Sequence, residues 1–262
     1  MHRSSHWAGG VTSRFGATLL VAAVSIALIP AAARALTDPG TPRKDVHIGQ
    51  DDDNAANPFI QPPGVPAPQH MSNADVLFGR DNDDLLIGNR GSDTLLGGAD
   101  DDILVGGPDR GQQPSSDVLV GDTGNDVAIW SPGDGNDGFV ANEDYDTAIF
   151  APIMLNRDGS VALHRADNRQ LPTATIDAQP NLTCQLVPVP ASANFGYQYL
   201  VRFFVHDAQV ATMRLKDVEQ VLCPSPHAGT VMRALLGASS PRFRSVSLTS
   251  IGGVPGAIIA PR

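Results

Sequence analysis

Aspartate recurs with a fixed neighbourhood through the middle of this 262-residue chain. It stands at Asp75, Asp84, Asp93, Asp102, Asp117, Asp126, Asp137 and Asp146, with spacings of 9, 9, 9, 15, 9, 11 and 9. Two residues after each comes Leu77, Leu86, Leu95, Leu104, Leu119, Ala128, Phe139 or Ala148, and the next residue is apolar in every case. A solvated acidic loop has no reason to keep an apolar phase. Residues 73–146 carry 17 acidic and 3 basic groups, a net charge of −14. Two like charges 4 Å apart repel by about 4 kcal/mol at an effective dielectric of about 20, and a cation between them reverses the sign. The region has no histidine and no cysteine, so its donors are hard oxygens, the set that selects calcium over zinc or copper.

The elements that must position these carboxylates follow from the unit length. A trio such as Thr94-Leu95-Leu96 is long enough for a very short strand, and the glycine-rich remainder makes a turn that exposes carbonyls and tolerates positive φ. One nine-residue unit cannot bury its apolar side alone, whereas stacked units build a continuous core. Two units per coil give a parallel solenoid of about four coils, roughly 19 Å long at about 4.8 Å per strand. Stacking also places each aspartate over the next but one.

The units GNRGSDTLL and GDTGNDVAI, with GGADDDILV carrying Asp100 in place of a glycine, resemble the repeats-in-toxin nonapeptide, the haemolysin-type calcium-binding repeat. WSPGDGNDGFV and ANEDYDTAI are irregular versions. The resemblance covers about residues 73–150 and implies a parallel β-roll with calcium held between turns on the same side. The implied pairs are Asp75 with Asp93, Asp84 with Asp102, Asp93 with Asp117, Asp102 with Asp126, Asp117 with Asp137, and Asp126 with Asp146. The implied turn glycines are Gly88, Gly91, Gly97, Gly106, Gly121 and Gly124. Six extra residues, Arg110 to Ser115, interrupt one turn and are expected to weaken the sites at Asp117.

Around the repeats the chain divides by composition. Residues 1–35 read as a secretory signal peptide: Arg3 and Arg14 precede the apolar run Ala17–Ile29, followed by Ala33-Arg34-Ala35. This run of 13 residues falls short of the roughly 20 needed to span a bilayer, so no transmembrane anchor is expected in the mature form. Residues 36–72 read as a proline-rich flexible linker. Residues 151–227 read as a small antiparallel β domain continuing from the roll, with YLVRFFV and QVATMRL as a strand pair turning near Asp207. Residues 228–262 read as a poorly ordered tail. Cys184 and Cys223 are the only cysteines, and an even pair in an exported chain predicts one disulfide. The fold class expected is therefore all-β, a parallel β-roll followed by a small disulfide-linked antiparallel β domain.

Function classes narrow accordingly. The mature chain would carry 15 basic and 28 acidic residues, which excludes nucleic acid as a partner. Neither H-E-x-x-H nor G-x-S-x-G occurs, and no catalytic residue is assigned. The expectation is a non-enzymatic calcium-binding protein, secreted to the periplasm or the outside. Its roll folds on binding calcium and presents the C-terminal β domain to an extracellular or cell-surface partner. The rivals are a secreted hydrolase using His164, His206 and carboxylates, and a calcium-dependent surface adhesin. The C-terminal half also resembles uncharacterised bacterial secreted proteins carrying these repeats, through YLVRFFV and RLKDVEQVLC, a resemblance that implies no activity.

Overall fold

A computed structural model describes residues 37–38, 44–48, 75–107, 116–166, 168–190, 192, 195–256 and 258–259. The apolar pair after each aspartate falls in a strand, and successive strands alternate between two sheets. In the first sheet β3 (Val76–Asp81), β5 (Thr94–Ala99), β7 (Val118–Thr123) and β9 (Gly138–Glu143) run parallel. In the second, β4 (Leu85–Ile87), β6 (Ile103–Val105), β8 (Val127–Trp130) and β10 (Thr147–Phe150) do the same. Leu77, Leu95, Leu119 and Phe139 are in register, as are Leu86, Leu104, Ala128 and Ala148. All eight are buried in one cluster, so the two-unit coil expected from the nine-residue period is the one the chain adopts.

The two sheets are not equivalent. The repeat strands of the second have three or four residues, as a short trio predicts, and every residue of β4, β6, β8 and β10 is buried. Its outer face, Leu85, Ile87, Ile103, Val105, Val127, Ile129 and Ile149, packs under Ile153, Val161, Leu171, Ala174, Ile176 and Ile258. Part of that cover comes from the segment around a hairpin of β11 (Leu163–Ala166) and β12 (Arg169–Pro172). The repeat strands of the first sheet run six residues, through the glycines, and alternate between buried and more exposed positions. A parallel strand covered on both faces reads as a continuous apolar run, and one with a solvated face alternates.

The C-terminal half adds strands to both sheets. The antiparallel meander β13 (Leu182–Pro188), β14 (Tyr199–Val205) and β15 (Ala208–Lys216) joins the first sheet, with β15 parallel to β9. β16 (Gln220–Cys223) lies parallel to β10 in the second sheet and is followed by antiparallel β17 (Thr230–Leu235) and β18 (Arg244–Ser247). β15 and β16 thus repeat the passage from first to second sheet made by every repeat. The turn between β14 and β15 sits at His206 and Asp207, both with positive φ. The disulfide Cys184–Cys223, Cα–Cα 6.3 Å, joins β13 of one sheet to β16 of the other. Trp130 meets Phe203 at 4.8 Å and Phe150 at 5.8 Å between ring centroids, so repeat and C-terminal residues share one core.

Two expectations are corrected. The tail is not poorly ordered as a whole: β17 and β18 are paired, and Val231, Ala234 and Ile258 are buried. Its Ser/Gly/Ala-rich composition concealed that the second sheet supplies an edge for it. The linker is not wholly free of the roll either, because β1 (Thr37–Asp38) pairs with β3 and β2 (Val46–Ile48) pairs with β4. The expected signal peptide and most of the expected linker lie outside the described residues. Among the described residues, no helix is long and apolar enough to cross a membrane.

Candidate metal centre

The turns from first to second sheet are GRDNDD (79–84), GGADDD (97–102), GDTGND (121–126) and ANEDYD (141–146). Their second residues, Arg80, Gly98, Asp122 and Asn142, and their fourth, Asn82, Asp100, Gly124 and Asp144, all have φ between 77° and 126°. Left-handed backbone at two fixed places explains why all of these but Arg80 are Gly, Asn or Asp, the residues that tolerate it. Gly98 is the sharpest case. With φ +119°, a Cβ there would collide with the carbonyl oxygen of Arg80, one coil away.

The last aspartate of each turn points inward and binds its neighbour along the stack. Oδ1 of Asp102 accepts from the Asp84 N–H at 2.7 Å, Asp126 from Asp102 at 2.8 Å and Asp146 from Asp126 at 2.8 Å. On the opposite side Asp93 accepts from Asp75, Asp117 from Asp93 and Asp137 from Asp117 at 2.8 to 2.9 Å. All six pairs implied by the repeat are therefore brought together, Asp117 included despite the insertion before it. All eight aspartates are at most 2 % exposed.

Each carboxylate has a second oxygen. Oδ2 of Asp84, Asp102, Asp126 and Asp146 is buried with no hydrogen-bond partner. Carbonyl oxygens collect at the same place. A Cβ added to Gly79 would stand 2.7 Å from Asp84 Oδ2 and 2.5 Å from the Gly97 carbonyl oxygen. At Gly88 it would stand 2.5 Å from both Asp93 Oδ2 and the Gly106 carbonyl oxygen. Gly97, Gly106 and Gly121 face Asp102, Asp117 and Asp126 Oδ2 in the same way. These glycines leave a space lined by oxygens of two coils. Gly91 and Gly124 instead serve the backbone: both have positive φ, and a Cβ at Gly124 would strike the Asp100 carbonyl.

Electrostatics agree with that geometry. Burial, reinforced by neighbouring carboxylates, pushes Asp84 up to about 6, Asp126 to about 7, Asp146 to about 8 and Asp102 to about 9. The outer rim of the same turns behaves oppositely. Burial also pushes Asp83 up, but the Lys44 hydrogen bond at 2.7 Å and the Arg169 charge outweigh it and leave its carboxyl lowered. Arg169 also donates to the Asp101 carbonyl at 2.5 Å. Lys44 and Arg169 thus serve the rim.

Orphaned carboxylate oxygens, space that a methyl group would fill and an all-oxygen donor set fit a hard divalent cation. Among the described residues, no three or more His, Cys, Asp or Glu side chains gather around one point. An ion held there would take its remaining ligands from main-chain carbonyls and water, as calcium does. The description of the RTX calcium-binding nonapeptide repeat matches four copies in this chain, over residues 73–112 and 114–129. These are RTX calcium-binding repeats. RTX nonapeptides bind calcium, and the match ends at residue 129, short of Asp137 and Asp146, although both aspartates continue the ladder. No curated protein matches the chain.

Sequence reading missed four participants. Gly79 lies nine residues before Gly88 and was legible from the period. Asp134 was hidden by the irregular seventh unit; its Oδ2 accepts from the Ser131 N–H at 2.7 Å, and its Oδ1 faces Gly107. Asp45, whose N–H donates to Asp84 Oδ1 at 2.6 Å, and Glu219, whose Oε2 accepts from the Asp146 N–H at 2.9 Å, stand 39 and 73 residues from their partners. Each carries part of the repeat's phase, Val221 and Leu222 after Glu219 and Ile48 and Gly49 after Asp45, but stands off the nine-residue spacing.

Proposed function

We propose that the chain is an exported, non-enzymatic calcium-binding protein. Calcium is held along both aspartate ladders by Asp75, Asp84, Asp93, Asp102, Asp117, Asp126, Asp137 and Asp146, with carbonyl oxygens of the turns. The carrying observation is the row of buried Oδ2 atoms without donors at Asp84, Asp102, Asp126 and Asp146. An ionised carboxylate so placed is strongly unfavourable without a counter-charge. Calcium therefore does for the roll what burial alone cannot, and folding of the repeats is coupled to its arrival. The disulfide and the signal-peptide pattern support export, where calcium is plentiful and thiols oxidise. On this reading the roll orders the C-terminal strands, which share its sheets, for an extracellular partner.

The hydrolase rival draws little from the geometry. His164 Nδ1 lies 3.0 Å from Thr173 Oγ1 on the β11–β12 hairpin, while His206 sits in the β14–β15 turn. A cleft of about 410 Å³ beside the ladder, lined by Asp101, Tyr145, Arg169 and residues 253–255, contains neither histidine. Calorimetric titration of the mature protein with calcium, paired with circular dichroism in chelator, tests the proposal. We expect several ions bound and a large gain of β signal on adding calcium. Extracellular sites of this class have dissociation constants of about 10⁻⁴–10⁻³ M. Identical spectra and no uptake would rule it out.

A further inference from the structure

The second ladder does not stop where the aspartate series stops. The Asp146 N–H donates to Glu219 Oε2 at 2.9 Å, as the Asp126 N–H donates to Asp146 Oδ1 at 2.8 Å one coil earlier. β16 lies parallel to β10 with Thr147 opposite Gln220, so Glu219 occupies the place of the next aspartate. The turn that carries it is shorter. Val140 pairs with Lys216 and Thr147 with Gln220, yet six residues lie between Val140 and Thr147 and only three between Lys216 and Gln220. Where the backbone is drawn in, the extra methylene of glutamate restores the reach.

Asp146 is fully buried, and its Oδ2 has no hydrogen-bond partner. Its other oxygen serves the coil before it and its N–H serves Glu219, so Asp146 stands between two carboxylates on one ladder. Resting on the calcium reading above, we infer that Asp146 and Glu219 form a further calcium site, one that no repeat match reaches. The site is built from one residue of the repeat array and one of the turn that leads into β16. Two carboxylates neutralise one divalent ion, and carbonyls and water complete the shell. Its location gives it a role the other pairs lack. β10 and β16 are the strands at which the second sheet passes from the roll to its antiparallel extension. Calcium at this point fastens the C-terminal strands to the roll.

The test uses the full mature chain and Glu219→Gln. Glutamine keeps an acceptor for the Asp146 N–H and removes the charge, so the hydrogen bond and the fold survive. Calcium calorimetry should count one ion fewer than in the wild type. Hydrogen exchange in calcium should show protection of residues 220–223 reduced by about tenfold, with residues 103–105 unchanged. In chelator the variant should melt no lower than the wild type, because a repulsion has gone; a merely structural glutamate would leave the ion count unaltered. Glu219→Asp, which retains charge but shortens the reach, serves if Glu219→Gln does not fold. It should fill its last site only at calcium about tenfold higher. An unchanged ion count in Glu219→Gln, or unchanged affinity at every site in Glu219→Asp, overturns this inference and leaves the calcium reading standing. No uptake by the wild type overturns both.

Discussion

Between Asp75 and Asp146 the sheets are joined by turns whose buried side chains are carboxylates, whereas beyond Leu182 the same two sheets are joined by Cys184–Cys223 and by aromatic packing on Phe203. Interior layers are alike in both regions, apolar and fully buried. What differs is the rim. Glycine-rich turns stack tightly but bring like charges together, and so depend on something from solution. Hairpins and a covalent bridge do not. One sandwich can therefore be conditional at one end and self-sufficient at the other, and β16 is where the two regimes meet.

Three measurements sharpen or break that contrast. The largest effect is expected at the covalent end. Closing 39 residues of sequence, the Cys184–Cys223 bridge should stabilise by about 4 kcal/mol in the chain-entropy account. Cys184→Ser with Cys223→Ser should lower stability in calcium by about that amount, read by denaturant unfolding, while the calcium count stays the same. A fall in the ion count would show that the two ends are not separable.

A second effect is present in chelator and absent in saturating calcium. Asp84, Asp126, Asp146 and Asp102 are raised from 3.8 to about 6, 7, 8 and 9, so the folded chain holds these protons more tightly than the unfolded one. In chelator their stabilising contribution is complete below pH 3.8 and disappears as pH climbs through those folded values. The melting temperature of the repeat region should fall across that window. Saturating calcium should abolish the fall, since calcium binds the deprotonated form and releases protons. Asp102→Asn should flatten the alkaline part of the chelator curve and reduce the gain from calcium. A chelator curve that rises with pH would contradict the burial argument.

The smallest effect concerns the rim. Arg169→Gln removes the cation beside Asp83 and the donor to the Asp101 carbonyl. Ion pairs near the surface contribute about 0–1 kcal/mol, so the loss of stability should lie in that range, with the inner sites still filled. A loss of calcium binding in this variant would mean that rim and inner ladder act as one unit.

The repeat half was legible because its information is local. A nine-residue period with an apolar pair after each aspartate defines strand, turn and coil without reference to anything distant, and the resemblance it carries implied the six aspartate pairs that stand in contact. The YLVRFFV and QVATMRL hairpin and the single disulfide could be read for the same reason, from alternation and cysteine count. Tertiary structure alone decided which sheet would be covered on both faces, because the cover arrives from residues 153–176 and from Ile258. It also gave strands to a tail whose composition looked unstructured, and brought Asp45 and Glu219 to the ends of a ladder from which they are far removed in sequence. Those outcomes depend on an open sheet edge offering hydrogen bonds to whatever chain can reach it. Reach across 39 or 73 residues is a property of the folded whole and leaves no periodic trace in the sequence.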